Sequence, residues 1–298
     1  MSRYSFALAT ALALTATGLM YADPGEGGPR GPSNARVHWA RGEAHAARPN
    51  RSANLLYHGG PVTHGTVVVP IFWGTNWGNG SFVGDKISGL HVFYSGMSGS
   101  TYAGTTTEYT DSNGHVGTSV SAGSAITDLS SVTANGQTTG PILAEVCAQI
   151  ANPAANGFYP VYIDKPRGNA GFCAWHSAGT CGGVTVQFGF FFNLDGDPGC
   201  DPQDTSGLHS QGLAALANVS GHELSETMTD PHLDAWYDSN GSENADKCAW
   251  TFGTPLLTFP NGSQWKVQGN WSNNAFNAST GYPNSRGQRG CLDGGNFP

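Results

Sequence analysis

This chain has few bases where a nucleic-acid or membrane-surface protein needs them. Six of its thirteen Lys and Arg residues lie before position 54, against three of its twenty-one Asp and Glu residues. From 54 onward 18 acids face 7 bases, a formal charge of −11. Such a domain repels nucleic acid and anionic lipid and has carboxylates to spare for cations. No G-x-x-x-x-G-K-S/T occurs, and no G-x-G-x-x-G follows a strand, so nucleotide phosphates have no glycine cradle. G-x-S-x-G is missing, which removes the usual setting of a serine nucleophile. Beyond Met20 there is no long apolar run, so no membrane span is expected. Charged residues make up only 11% of the chain, against 43 glycines, which suggests a loop-rich extracellular protein.

What is present begins with "MSRYSFALATALALTATGLMYA": a basic Arg3, an apolar run from Phe6 to Met20 and a small residue, Ala22, where cleavage is expected. Residues 1–22 therefore read as a secretory signal and the product as secreted and soluble. Residues 23–53, rich in Gly, Pro, Ala and Arg with little apolar periodicity, read as a disordered linker or propeptide. The rest, 54–298, reads as one domain. Its six cysteines, Cys147, Cys173, Cys181, Cys200, Cys248 and Cys291, contain no C-x-x-C pair. In an oxidising compartment an even count favours three disulfides over a zinc site, and Cys173 and Cys181 are close enough to close a small loop.

"GTVVVPIFWG" (65–74), "YPVYID" (159–164) and "GVTVQFGFFFN" (183–193) read as strands, the first at an edge or with a bulge because of Pro70. "GPILAEVCAQIAN" starts with Pro141 at a first helical position and repeats apolar residues on one face. A second helix is predicted from about Gly212 to Thr229. Its stripe of Leu213, Leu216, Ala217, Leu224 and Met228 docks by one face and offers the other to a cleft, and Pro231 ends it. Helices and strands mix without regular alternation, so the class is α+β, with a mixed sheet and an active-site helix.

That helix carries "GHELSETMTDPH" (221–232), an H-E-x-x-H zinc signature with Glu226 in place of the second histidine. His222 and Glu226 are four apart and share a helix face, so both reach one ion. Glu223 stands about 100° round from His222, where a general base for a metal-activated water belongs. Alone the pattern is also that of a solvated polar face. Downstream, "SENADKC" puts Glu243 seventeen residues and Asp246 twenty residues after Glu226. Glu243 suits a third ligand, and Asp246 suits the carboxylate that orients His222 through its other nitrogen. His232, ten residues after His222, is the rival third ligand. Two anionic ligands neutralise a divalent ion and make its water less acidic, and they admit manganese or calcium besides zinc.

Three blocks in this order, "NLLYHGGPVTHGTVVVPIFWG", "GFCAWHS" and "SGHELSETMTDPHLDAWYDSNGSENADKC", resemble the secreted EXORDIUM-like, phosphate-induced protein 1 family over about 54–298. The resemblance is most specific from His222 to Cys248. Plant members are cell-wall or apoplastic proteins tied to growth and brassinosteroid responses. The resemblance implies that His222, Glu223, Glu226, Glu243 and Asp246 form one shared constellation. Around Cys173 the plant pattern resembles F-C-x-x-x-C-G-x-H, whereas "FCAWHSAGTC" moves the second cysteine to 181 and places His176 earlier.

"NLDGDPGCDPQD" (193–204) presents Asn193, Asp195 and Asp197 at alternate positions like a calcium loop, although Pro198 stands where an EF-hand needs glycine. Eight Trp and ten Tyr residues could form a sugar platform but belong mostly in a core. The leading expectation is a zincin-like, zinc-dependent metallohydrolase, a peptidase acting on extracellular peptide or protein. His222, Glu226 and Glu243 hold the ion, Glu223 is the base, and Tyr237 or His176 donates to the oxyanion. The alternative is a non-catalytic wall-associated or glycan-binding protein in which the same residues hold a structural ion.

Overall fold

A computed structural model describes residues 31–43 and 53–295; the expected signal segment 1–22 lies outside them. Eight strands form one mixed sheet: β1 (Arg36–Trp39), β2 (Thr66–Val68), β3 (Ile71–Trp73), β4 (Val120–Ala122), β5 (Ile126–Asp128), β6 (Gly157–Pro166), β7 (Phe172–Cys181) and β8 (Val184–Asn193). Their order is β1-β7-β8-β6-β2-β4, with β3 between β6 and β5. β1, β7 and β8 pair antiparallel, while β8 with β6, and β6 with β2 and β3, pair parallel. The main helices are α1 (Lys86–Met97), α2 (Gly140–Gln149) and α3 (Gln211–Thr229). The class is thus α+β with a mixed sheet.

Pro70 divides the 65–74 run in two. It has no N–H to give a ladder, so β2 ends before it and β3 starts after it, both lying along β6. The Pro70 carbonyl still accepts from the Ile126 amide at 2.8 Å.

Strand alternation sorts β7 onto two faces. Trp175 stacks on Phe190 at 5.5 Å, and on that side Leu143 of α2 fills the space over Gly179. His176, the next residue, points the other way. There Phe191 stacks on Tyr162 at 4.6 Å, and the Tyr162 hydroxyl bonds Ser220 of α3 at 2.7 Å. The sheet is therefore sandwiched between α2 and α3, and β7 aims an imidazole at α3.

α3 starts at Ser210, whose hydroxyl accepts from the Leu213 amide, and stops before Pro231. One expectation about it does not hold: the polar face is not offered to a cleft. Asn218, Ser220, His222, Glu223, Ser225, Glu226 and Thr227 are all buried, like the apolar stripe. The cover comes from distant chain. Asn218 Oδ1 accepts from the Gln268 amide at 2.8 Å, Ser225 Oγ pairs with Asn270 Nδ2 at 3.1 Å, and the Ser225 carbonyl accepts from Asn244 Nδ2 at 3.3 Å. These partners satisfy part of the polar face.

In the segment read as a disordered linker or propeptide (23–53), the described residues 31–43 contain a strand. Arg36–Trp39 forms β1 and pairs with β7 from Arg36↔His176 to Trp39↔Phe172. An open edge of β7 supplies ladder partners, and these outweigh a composition poor in apolar residues.

Three disulfides join Cys147 to Cys181, Cys173 to Cys200 and Cys248 to Cys291, with no free cysteine. Cys173 and Cys181 do not pair with each other; they sit on one strand, eight residues apart, with Cys173 near its start and Cys181 at its end. Such bonds belong to an oxidising compartment. Among the described residues no helix is long and apolar enough to cross a membrane. Cys248–Cys291 closes a separation of 43 residues and anchors the Asp246–Cys248 turn to the strand Arg289–Leu292. Replacing both cysteines by alanine is expected to destabilise the fold by about 2–4 kcal/mol, read as a lower urea midpoint. An unchanged midpoint contradicts this.

Candidate metal centre

Helical spacing puts His222 Nε2 3.1 Å from Glu226 Oε1. The 243–248 turn then closes over this pair. Its backbone is pinned at two points: the Asp246 amide donates to Glu226 Oε1 at 2.9 Å, and the Glu243 amide donates to Asp246 Oδ2 at 3.1 Å. Asp246 Oδ1 thereby comes within 3.6 Å of His222 Nε2. From the sheet, His176 Nε2 reaches Glu243 Oε2 at 2.8 Å and Glu226 Oε2 at 3.5 Å.

Two groups with metal-ligand geometry result: His176, Glu226 and Glu243, and His222, Glu226 and Asp246. In each, the donor atoms lie within 4.8 Å of one another. His222, Glu226, Glu243 and Asp246 all fall in these groups, but with partners other than those expected from the sequence. Asp246 faces the same nitrogen of His222 as Glu226 does. The other nitrogen, Nδ1, meets Gln268 Nε2 at 2.6 Å, so the orienting position belongs to Gln268. Glu243 stands with His176 rather than with His222. His232 belongs to neither group.

Tyr237 stacks on His58 at 3.6 Å and lies 4.8 Å under the Arg36 guanidinium. His176, considered above as an oxyanion donor, is instead part of a ligand group. The 193–197 loop spends its charge elsewhere. Asp195 pairs with Lys86, and Asp197 accepts from Arg167 Nε at 2.6 Å and Nη2 at 3.1 Å. Both carboxylates thus have cationic partners in the structure.

Sequence reasoning passes over three contributors. His38 of β1 packs against His222 with ring centroids 3.8 Å apart and tilted by 36°, and stacks on Trp250 at 4.7 Å, and neither of its ring nitrogens has a hydrogen bond. Arg36, two residues earlier, reaches Glu243 Oε1 at 3.7 Å and Asp230 Oδ2 at 3.9 Å. Gln268 completes the set. The alternation in "RVHW" is a strand signal, but four residues inside an Arg- and Gly-rich stretch are too few to stand out.

The fit to a cation rests on what these buried atoms lack. His222 Nε2, Glu226 Oε2, Glu243 Oε1 and both oxygens of Glu223 have no hydrogen bond of acceptable geometry. Unpaired buried carboxylates are costly and shift their protonation instead. Burial pushes the Glu223 carboxyl well above its ordinary range, helped by the charges of Glu226 and Asp246. Glu243 is raised for the same reason, with Glu226 and Asp230 adding to it and Arg36 opposing. Asp246 rises to about 7 through burial and the Glu226 charge. Burial also raises Glu226, but His222 and His176 outweigh it and hold that carboxyl well below the usual range. His38 is driven well down by burial and by the neighbouring His222. Imidazole nitrogen with carboxylate oxygen suits zinc or manganese.

No known family model matches this chain, and no curated protein or solved structure matches it. Function is therefore argued from the cluster itself. Its members are wholly buried except at one edge, where the Asp246 side chain is 21% exposed and Arg36 25%.

Proposed function

We propose that this chain is a secreted, zincin-like, metal-dependent hydrolase, with peptide bonds as its favoured substrate and zinc as its favoured ion. The observation that carries the reading is the convergence on Glu226 of buried imidazole and carboxylate groups, of which His222 Nε2, Glu226 Oε2 and Glu243 Oε1 have no hydrogen bond. His222, Glu226 and Asp246 would hold the ion, with His176 and Glu243 beside them. A bound divalent ion supplies Lewis acidity and lowers the pKa of water. Glu223, one residue from His222 and free of hydrogen bonds, is placed to accept a proton. Gln268 fixes the His222 ring through Nδ1, and the His38 ring packs against it. A substrate would enter at the exposed edge between Asp246 and Arg36. The EXORDIUM-like relationship remains part of this proposal and rests on the order of the three motif blocks.

A second reading is favoured by the closure of the site. A cleft of about 460 Å³, lined by residues including Thr105, Glu108, Ser272 and Asn274, lies away from the cluster. In that reading the ion is structural and the protein binds wall glycan or protein without cleaving it.

Casein hydrolysis by the full chain, with and without chelator, separates the two. The enzymatic reading expects chelation to stop hydrolysis and Glu223→Gln to slow it by roughly 10²–10⁴-fold, the scale of general base catalysis. Cleavage untouched by both treatments sinks it. Chelation that lowers the melting temperature of a protein without hydrolytic activity supports the structural ion.

A further inference from the structure

The two ligand groups share a single residue, Glu226, and they meet its carboxylate from different sides. Oε1 lies 3.1 Å from His222 Nε2, and Oε2 lies 3.5 Å from His176 Nε2. Each group then has its own second carboxylate: Asp246 Oδ1 at 3.6 Å from His222, and Glu243 Oε2 at 2.8 Å from His176. The two imidazoles come from different elements, α3 and β7, so neither group is an alternative rotamer of the other. We propose that the centre holds two divalent cations of the zinc or manganese kind, bridged by Glu226; this rests on the metal-centre reading above. One ion takes His222, Asp246 and Glu226 Oε1. The other takes His176, Glu243 and Glu226 Oε2.

Charge supports a pair over a single ion. Five carboxylates crowd this region: Glu223, Glu226, Asp230 and Glu243 are fully buried and Asp246 is partly buried. Among the described residues Arg36 faces them, within 4 Å of Glu243 and Asp230, while nearby Lys247 is paired with Asp238. Fully ionised, they carry four negative charges in excess. A single divalent ion leaves two of these unbalanced in a low-dielectric interior, whereas two ions balance all four. Glu226 Oε2 and Glu243 Oε1 lack hydrogen bonds, as a bridging and a chelating oxygen would before metal is added. Carboxylates with two separate oxygens suit paired ions, which in two-metal hydrolases stand about 3.5–4 Å apart.

The test is a titration of the full, metal-stripped chain with Mn²⁺ alone, followed by electron paramagnetic resonance. The expected result is saturation at two ions per chain, with the second equivalent replacing the isolated-ion signal by that of an exchange-coupled pair. Saturation at one ion overturns the bridged pair and leaves the single-ion reading standing. Two ions with only isolated signals overturn it as well, and no binding overturns both. Glu243→Gln and Asp246→Asn should each stop at one isolated ion, and a coupled pair in either contradicts the assignment. Should a variant fail to fold, the unaltered chain decides the matter by itself.

Discussion

Glu226→Gln is expected to strip the chain of its metal and to lower its stability by about 3 kcal/mol, the scale for breaking a buried charged pair by changing one partner. The amide keeps the shape of the side chain and removes the charge that faces His222 and His176. It also leaves the Asp246 amide with a weaker acceptor at Oε1, loosening the turn that carries Glu243 and Asp246. Glu223→Gln, three residues earlier on the same helix, is expected to behave differently. Its carboxylate has no hydrogen bond and is repelled by Glu226 and Asp246, so losing it should leave the metal in place and raise the stability of the metal-free protein. Metal content and urea midpoints of the two variants side by side provide the check. Equal behaviour of the two would contradict the roles given to them.

Without metal, the protein should lose stability as pH rises through neutrality. Glu223, Glu243 and Asp246 have folded-state pKa values raised above those of the unfolded chain, Asp246 to about 7. Between the two values the folded state binds more protons than the unfolded one, and stability falls by about 1.4 kcal/mol per pH unit for each such proton. Two groups act in the opposite direction at lower pH. His38, lowered from 6.5, adds stability as pH rises only below that value, and the lowered Glu226 acts below the ordinary carboxyl range near 4.5. The window from about pH 6.5 to 7 therefore belongs to the raised carboxyls. Metal binding requires those carboxylates ionised, so the stabilisation that metal adds should grow over the same window. Melting temperatures of stripped and loaded protein from pH 5 to 8 test this. A gap that narrows as pH rises would contradict it.

The parts of the site that were legible in sequence are those set by short-range geometry. His222 and Glu226 are joined by one helical turn, and the 243–248 turn returns to that turn after about twenty residues, pinned by backbone donors to Glu226 and Asp246. His176 was visible as a residue but not as a member of the centre, because its place depends on which face of β7 meets α3. His38 and Arg36 were hidden more deeply. Their strand exists because β7 has an open edge, a property of the assembled sheet and not of "RVHW" itself. The burial of the polar side of α3 was misread for a related reason. Asn218, Ser220 and Ser225 look like a solvated face until Gln268, Asn270 and Asn244 arrive from later in the chain to satisfy them. Pro70 suggests an edge or a bulge, yet β2 and β3 each have a partner on both sides, and the proline instead divides the run in two.

The proposed chemistry depends on an ion held by the Glu226 cluster. Elemental analysis by mass spectrometry of the full chain, purified without chelator and desalted, tests this most directly. The account predicts stoichiometric zinc or manganese that is lost on Glu226→Gln. A metal-free chain whose melting temperature is the same with added zinc, manganese or chelator would contradict it.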